Sequence, residues 1–425
     1  MKINTGKISP WNRNLKIKVK VFYPKNIKNL TEIIKLCKKQ GRKYLIRTGN
    51  CSYDGKSLPN MDNDYVISLK NFNKIIKINK KSSTIILQTG VIISDFLKKM
   101  KNKNISLYSI PGGSGISIGG AISANAIGKD SNKTIGSFGD TVCKLTILNE
   151  KGKLKRISKK KEVNNYVGAF GMNGIIIDAE IKFKKILSQN VLLKTKKLYN
   201  FDQIWNAFND NIEYQFVQVD PLLRKKNFAI LFNAFSIKEK KNLFKETNAS
   251  IFLTLTVKLA SFFMSDYLWG LFYKVFDKLN SKVSKKIDLH NLYYQNSFKN
   301  VLPIFFKEGI CEYEILISKN FRKIMSKILS LIKGKYTLSY IVIKKIYNSK
   351  NNFNYKFNKK TGLSVSFGFT NIDPKGKDRV ENFFKKNNLE VNATKNDRIL
   401  IKNKKKNNLF MSKYKKILEV NEISR

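Results

Sequence analysis

The sequence predicts an α+β protein of two domains with a boundary near residues 186 to 195, and three observations point there. Before residue 186, short apolar runs with period-two alternation outnumber segments with a helical period. Eight glycines crowd the thirty residues from 110 to 139. Beyond residue 186 the glycines thin out and the alternating and helical runs lengthen.

The elements follow in order. VKVFYP, from Val19, reads as a strand; Asn29 opens a helical period running through TEIIKLCKKQGR; and KYLIRTG is a second strand entering a glycine turn. DYVISLK is a third strand. KIIKINKKSSTIILQTG alternates as a hairpin, and VIISDFLKKMKNKN is a helix with Ser94 or Asp95 near its start. The glycine-dense stretch reads as loop. TVCKLTILNEKGKLKRIS is a hairpin turning at Lys151 and Gly152, and a glycine-studded turn then leads into a last strand, IIIDAEIKFKKI. The expected division is 1–188, in two parts of about 1–70 and 71–188, then 189–400 as a second α+β domain with an antiparallel sheet. Residues 401–425 are expected to form a tail returning to the first domain.

Composition excludes several functions. The 425 residues contain 82 Lys or Arg against 30 Asp or Glu, a formal charge of +52, and one histidine, His290. Four cysteines, at 37, 51, 143 and 311, make no CxxC pair, so neither a zinc finger nor any other metal site is expected. Their wide spacing in a long chain fits a reducing compartment, and a cytoplasmic protein is expected. The lysines are dispersed among many Asn and Ile, the signature of codon bias, and no RNA-binding or helix-turn-helix pattern accompanies them. Nucleic acid is therefore not an expected partner, although a non-enzymatic binder of nucleic acid or anionic surfaces remains a second alternative. The N-terminus is basic without an apolar core and cleavage site, so no signal peptide is expected. Lys258, Asp266 and Lys274 interrupt the apolar, aromatic run from 249 to 276; it suits an amphipathic helix pair, or peripheral contact with an anionic membrane, better than a span.

Dense glycine has a chemical use. Without a Cβ the backbone can approach a ligand closely and offer N–H groups to anionic oxygens such as those of a pyrophosphate. The spacing here fits neither a P-loop nor a GxGxxG turn, and Asp130 follows Gly128-Lys129 where a P-loop would have a hydroxyl. What is specific is the order: RTGNCSYDG at 47–55, PGGSGISIGGAI at 111–122, GKDSN and GSFGD, then GAFGMNGIIIDAEI at 168–181. In sequence and order these motifs resemble the FAD domain of the vanillyl-alcohol oxidase/p-cresol methylhydroxylase (PCMH) superfamily. They are most similar to its decaprenylphosphoryl-ribose oxidase branch and the related sugar-alcohol and aldonolactone oxidases, with Trp11 and Arg13 where that branch has WGR. The resemblance covers residues 8 to about 186, and is patchy from Tyr293 onward.

The resemblance implies a two-subdomain PCMH-type FAD-binding domain followed by a substrate domain. It places Asn50, Cys51, Ser52 and Tyr53 in a first cofactor loop, and Pro111, Gly112, Gly113, Ser114, Ser117, Gly119 and Gly120 in a second wall. Ala126, Ile127 and Gly128 would lie beneath the flavin ring, with Gly174 and Ile176 by the adenine end or ribityl chain. Two departures matter. Members with covalent flavin often have histidine where this chain has Cys51, and the sugar-oxidase branch has arginine there; a small residue beside noncovalent FAD is expected over thiolate attachment. The branch's IHGKN reads AIGKD here, so Ile127 replaces a histidine while Lys129 survives.

In the second domain, ICEYEILI and SYIVIKKIY resemble the strands that bring a tyrosine or glutamine and a lysine over the flavin. The resemblance implies catalytic Lys344, with Lys129 and Tyr313 shaping the pocket and Glu314 as a substitute base. Strand alternation sets Val342 and Lys344 opposite Ile341, Ile343 and Lys345. His290 reads as a surface or capping residue. The function implied is FAD-dependent oxidation of a hydroxyl of a sugar or sugar-like alcohol by hydride transfer to flavin N5, the substrate being small or polyprenyl-phosphate-linked. The alternative within the superfamily is a soluble aldonolactone or hydroxy-acid oxidase. Oligomeric state, the carbon oxidised and the electron acceptor leave no mark in the sequence.

Overall fold

A computed structural model describes residues 2–11, 16–53, 58–59, 64–130, 132–149, 151–221, 228–239, 243–244, 274, 278–280, 283–294, 310–332, 337–349, 351–353, 355–357, 359–392 and 394–395. Arg13, most of the aromatic run 249–276 and the tail 401–425 lie outside the described residues.

Among the described residues, three sheets form an α+β arrangement with few helices. The first holds β1 (Lys2–Ile8), β2 (Ile17–Tyr23), β3 (Tyr44–Arg47) and β4 (Tyr65–Ser68) in the order β1-β2-β4-β3. β2 and β3 run parallel to β4, and β1 runs antiparallel to β2. The connection from β2 to β3 is helix α1 (Ile27–Lys39), which buries Leu30, Ile33, Ile34 and Cys37 at helical spacing. α1 starts two residues before Asn29 because the Asn26 side chain accepts a hydrogen bond from the Asn29 N–H and caps it.

The second sheet is antiparallel throughout. It contains β5 (Ile75–Asn79), β6 (Thr84–Gln88), β8 (Val142–Leu148), β9 (Leu154–Ile157) and β10 (Ile175–Lys185), ordered β5-β6-β10-β8-β9, with β7 (Ile105–Leu107) also paired to β10. The β8–β9 hairpin turns at Gly152, whose φ of 73° favours glycine. Two short helices, α2 (Ile93–Lys99) and α3 (Ile118–Ser123), pack into its core. α2 begins at Ile93, with Ser94 and Asp95 in its first turn as expected. α3 lies within the stretch expected to be loop: burial of Ile118, Ala121 and Ile122 outweighs the poor helix propensity of its two glycines.

The third sheet begins at Asn190. Its strands are β11 (Asn190–Leu198), β12 (Tyr214–Val219), β13 (Ala229–Ser236), β14 (Ser284–Asp288), β15 (Cys311–Ile317), β16 (Thr337–Ile346), β17 (Gly362–Asn371) and β18 (Glu390–Val391), ordered β14-β11-β13-β12-β16-β17-β15-β18 and all antiparallel. The helices are numbered on in chain order: α4 (Lys160–Asn164), α5 (Phe201–Asn206), α6 (Leu289–Tyr294), α7 (Phe321–Ile332) and α8 (Pro374–Lys386). α7 and α8 bury Phe321, Met325, Ile328, Val380 and Phe384 against Tyr313, Ile315, Ile341, Ile343 and Phe367 of the third sheet. With one face of β15 and β16 occupied this way, alternation turns their other side chains toward the glycine loops.

His290 is in α6 and is buried, not superficial. Its backbone N–H donates to Asp288 Oδ1 at 2.8 Å, and its ring packs edge-on against Tyr294.

Candidate active site

Residues 47–53, after β3, and residues 111–117, after β7, come together. At Gly49 a Cβ would lie 1.9 Å from the Gly115 carbonyl oxygen, so only glycine lets the loops 47–53 and 111–117 touch. A Cβ at Gly119 would lie 2.8 Å from Thr89 Cβ, bringing the start of α3 against the turn after β6. Ser117 caps α3 by accepting from the Gly120 N–H, and Thr89 Oγ1 donates to the Ile176 carbonyl at 2.7 Å. These contacts make one wall of a cavity of about 810 Å³; β12, β15, β16 and β17 of the third sheet close the other side. That volume is near the upper end of small-molecule sites, roughly 300–1,000 Å³.

Of the expected cofactor-binding residues, Asn50, Cys51, Ser52, Tyr53, Pro111, Gly112, Gly113, Ser117, Gly119, Gly120, Ala126, Ile127, Gly174 and Ile176 line this cavity. Ser114 and Gly128 do not. The Ser114 carbonyl is turned to Ser94 Oγ at 2.6 Å, and Gly128 is packed so tightly against Ser109 and Ile110 that a Cβ would lie 2.4 Å from their backbone atoms.

Arg47 is a cavity residue that the sequence reading missed, as are Glu312, Tyr340 and Lys395. Arg47 Nε donates to Asn50 Oδ1 at 2.5 Å and another nitrogen donates to the Ser9 carbonyl, but its Nη1 is buried with no hydrogen-bond partner among the described residues. Burial lowers its pKa from the ordinary arginine value. A buried guanidinium nitrogen left unpaired beside glycine backbone is suited to an anionic oxygen, and this is the observation by which the residues fit a dinucleotide's phosphates. Its position immediately before the TGN turn was the available signal.

Cys51 lies between the loops, with Sγ 3.4 Å from the Gly49 carbonyl. Burial pushes its thiol up to about 11 against the opposing pull of the Gly115 backbone, Arg47 and Lys395, so it is a protonated thiol rather than a thiolate nucleophile.

On the third-sheet side of the cavity, charged side chains are sorted into pairs. Lys344 Nζ lies 3.2 Å from Glu314 Oε1 and also donates to the Ile127 carbonyl at 3.2 Å. Ser364 and Asn392 donate to the same carboxylate, at 2.5 and 2.6 Å. Burial raises the Glu314 pKa, but Lys344, Lys395 and these two donors outweigh it and bring it down to about 2. Glu314 is thus a counter-ion that holds Lys344; a carboxylate this acidic is a poor substitute base. The second pair is Lys395 and Glu312, 2.9 Å apart, and Glu312 also accepts from the hydroxyls of Tyr53 and Tyr340. Trp11 packs on Tyr53, with ring centroids 5.0 Å apart.

Tyr313 does not reach the cavity. Its hydroxyl donates to Glu381 on α8 at 2.7 Å and its ring is buried against Phe369 and Phe384. Alternation is the reason: with Glu314 facing the cavity, the adjacent Tyr313 faces the helices and Glu312 takes the place expected for it. On β16, Lys344 and Val342 line the cavity, whereas Lys345 reaches out to Asp210. Lys129 also faces inward, its ammonium 4.2 Å from the centre of the Phe216 ring.

Comparison with known proteins agrees with the loop geometry. Residues 20–158 match the family model described as FAD binding domain. The chain is 26% identical over 162 residues to the mitochondrial D-lactate dehydrogenase (cytochrome) of Kluyveromyces lactis, covering 38% of this chain and 27% of that protein. It is 28% identical over 171 residues to the glycolate oxidase subunit GlcD of Bacillus subtilis, covering 38% and 36%, and 23% identical over 101 residues to the L-gulonolactone oxidase of Scyliorhinus torazame, covering 24% and 22%. The chain thus spans between about a fifth and a third of the length of these curated relatives. It carries an FAD-binding domain of the PCMH-type superfamily, with FAD as cofactor. The narrower likeness to decaprenylphosphoryl-ribose oxidases rests on the sequence motifs alone.

Proposed function

We propose that this chain is an FAD-dependent oxidoreductase that oxidises a CH–OH group to a carbonyl. The observation that carries the reading is that one cavity is lined both by the glycine loops with Arg47, whose Nη1 has no hydrogen-bond partner among the described residues, and by the Lys344–Glu314 and Lys395–Glu312 pairs. FAD, when bound, supplies the acceptor for the substrate's hydride. Backbone around Gly49, Gly112 and Gly113, with Arg47, would hold its phosphates, and Ala126 and Ile127 would support its ring.

The chain's own residues do the rest. Glu314 and the Ile127 carbonyl fix the Lys344 ammonium in the cavity, where it donates to the substrate oxygen, orients it and stabilises the charge that develops as the hydroxyl proton leaves. The Tyr53–Glu312–Tyr340 network ties the first cofactor loop to the third sheet over the cavity and limits access of water.

The substrate reading that follows from the motifs is a sugar or sugar-like alcohol. A second reading, a hydroxy acid or aldonolactone, is favoured by the names of the relatives. Delivery of a polyprenyl-phosphate-linked sugar from an anionic bilayer is the lipid version of the first reading. It rests on the aromatic run 252–276 with Lys258, Lys274 and Lys278, and flotation with acidic liposomes tests it: equal flotation of protein with and without that run removes it. The test of the reading itself is anaerobic bleaching of the bound flavin by a panel of D-lactate, glycolate, L-gulonolactone, aldoses and alditols. Bleaching by at least one member is expected; a flavin that none of them reduces contradicts the reading.

A further inference from the structure

Among the described residues, each lysine lining the cavity has a carboxylate partner except one. Lys344 is held by Glu314 and Lys395 by Glu312. Among the described residues no carboxylate lies within ion-pairing distance of Lys129. Its surroundings are specific. The Phe216 ring on β12 lies beneath the amine, and Gly112 is open toward the Lys129 stem, with a Cβ position 4.0 Å from its Cε. The charged group that faces it is Lys344 on β16, a second cation. Glu314 on β15 is committed to Lys344, Ser364 and Asn392. Asp130, next in the chain, is turned away and accepts from the Ile110 N–H at 2.7 Å.

We infer that the ε-amine of Lys129 is the catalytic base that takes the hydroxyl proton of the substrate, an inference that rests on the oxidoreductase reading above. In the step, the substrate O–H bond breaks and its proton passes to the Lys129 Nζ lone pair. The carbinol C–H bond breaks in the same oxidation, its electron pair leaving as hydride to the flavin while C–O becomes C=O. Lys129 Nζ then returns its proton to solvent.

Two physical arguments select Lys129 over Lys344. An ammonium held by a carboxylate has no lone pair to offer and would have to break that pair to gain one. Burial, and then the like charge of Lys344, bring the Lys129 pKa down to about 8, so a useful fraction is neutral near physiological pH. Lys344 and Lys129 thereby divide the labour: the first is held as a donor to the substrate oxygen, the second is left free to take its proton.

The discriminating variants are Lys129→Arg, which keeps the charge but has a pKa above 12, and Lys129→Ala, both studied as holoenzyme with flavin content and melting temperature matched to the parent. With whichever panel member bleaches the parent fastest, flavin reduction is expected to slow by about 10²–10⁴-fold in both, and added methylamine to restore part of the rate in Lys129→Ala. Independently of turnover, acetylation of the parent by acetic anhydride, read residue by residue by mass spectrometry, is expected to show Lys129 reacting with a pH midpoint near 8, well below the roughly 10.4 of solvent lysines. A Lys129→Arg variant that bleaches at the parental rate overturns the inference and makes Lys129 a fixed counter-charge, for instance for a substrate carboxylate; an ordinary labelling midpoint also overturns it. A parent whose flavin no panel member bleaches overturns the oxidoreductase reading and this inference with it.

Discussion

Replacing Glu314 with glutamine removes a charge but almost no volume, and the structure says what this costs. The carboxylate is 2% exposed and accepts from Lys344, Ser364 and Asn392 at once. A glutamine amide has one oxygen for these three donors, and its NH₂ must face one of them. The pKa gives the scale: a fall from 4.5 to about 2 is worth about 3 kcal/mol at roughly 1.36 kcal/mol per unit. The sign is that of a depressed carboxylate, so the stabilisation is present in full above pH 4.5 and fades as pH falls toward about 2. Leaving Lys344 buried without its counter-ion puts the cost of Glu314→Gln at about 3–5 kcal/mol at pH 7. The assay is urea unfolding of the apoprotein for parent, Glu314→Gln, Lys344→Met and the double variant, with m compared across all four. Because each single change strands the other partner, the double variant is expected to be more stable than the sum of the singles implies, by about 1–3 kcal/mol. Additive singles, or a Glu314→Gln cost under about 1 kcal/mol, would refute the buried pair.

Three further outcomes follow from particular residues. Gly49→Ala drives a methyl into the Gly115 carbonyl, so the loops must part; a loss of about 1–3 kcal/mol and of flavin retained through gel filtration is expected, read by melting temperature and absorbance. Because Cys51 is a protonated thiol, acid precipitation should leave the yellow colour in the supernatant and Cys51→Ser should bind flavin at the parental level; colour in the pellet would mean a covalent link. The depressed Lys129 pKa makes the ligand-free protein less stable below pH 8, a penalty of about 3 kcal/mol at roughly 1.36 kcal/mol per unit, and it is relieved between about 8 and 10.5, where the unfolded chain binds the extra proton. Lys129→Met should therefore stabilise the apoprotein at pH 7 and lose this advantage above pH 10.5; a pH-independent difference would contradict the depressed pKa.

What was legible in the sequence is what short-range rules control. Leu30, Ile33, Ile34 and Cys37 declare α1 by their spacing, and Gly152 marks its hairpin because few other residues adopt its backbone. The glycine loops were legible as backbone that something must approach closely, and both line the cavity. What was not legible depends on partners far along the chain. The Tyr53–Glu312 hydrogen bond joins residues 259 positions apart, and the order that sets β16 between β12 and β17 has no local signature. The misplacement of Tyr313 is of a different kind, because strand alternation by itself puts Glu312 and Glu314 on one face of β15 and Tyr313 on the other. His290 looked superficial because Tyr294, one turn on in the same helix, covers its ring together with Phe244, which lies far upstream in the chain.

The claim on which the rest depends is that loops 47–53 and 111–120 hold FAD against Lys344. The most direct measurement is the stoichiometry with which FAD rebinds to stripped apoprotein, followed by fluorescence quenching, for the parent and Gly49→Ala in parallel. One FAD per chain in the parent and greatly weakened binding in the variant is the predicted result. A parent that takes up no FAD, or a Gly49→Ala variant that binds it as tightly as the parent, would contradict it.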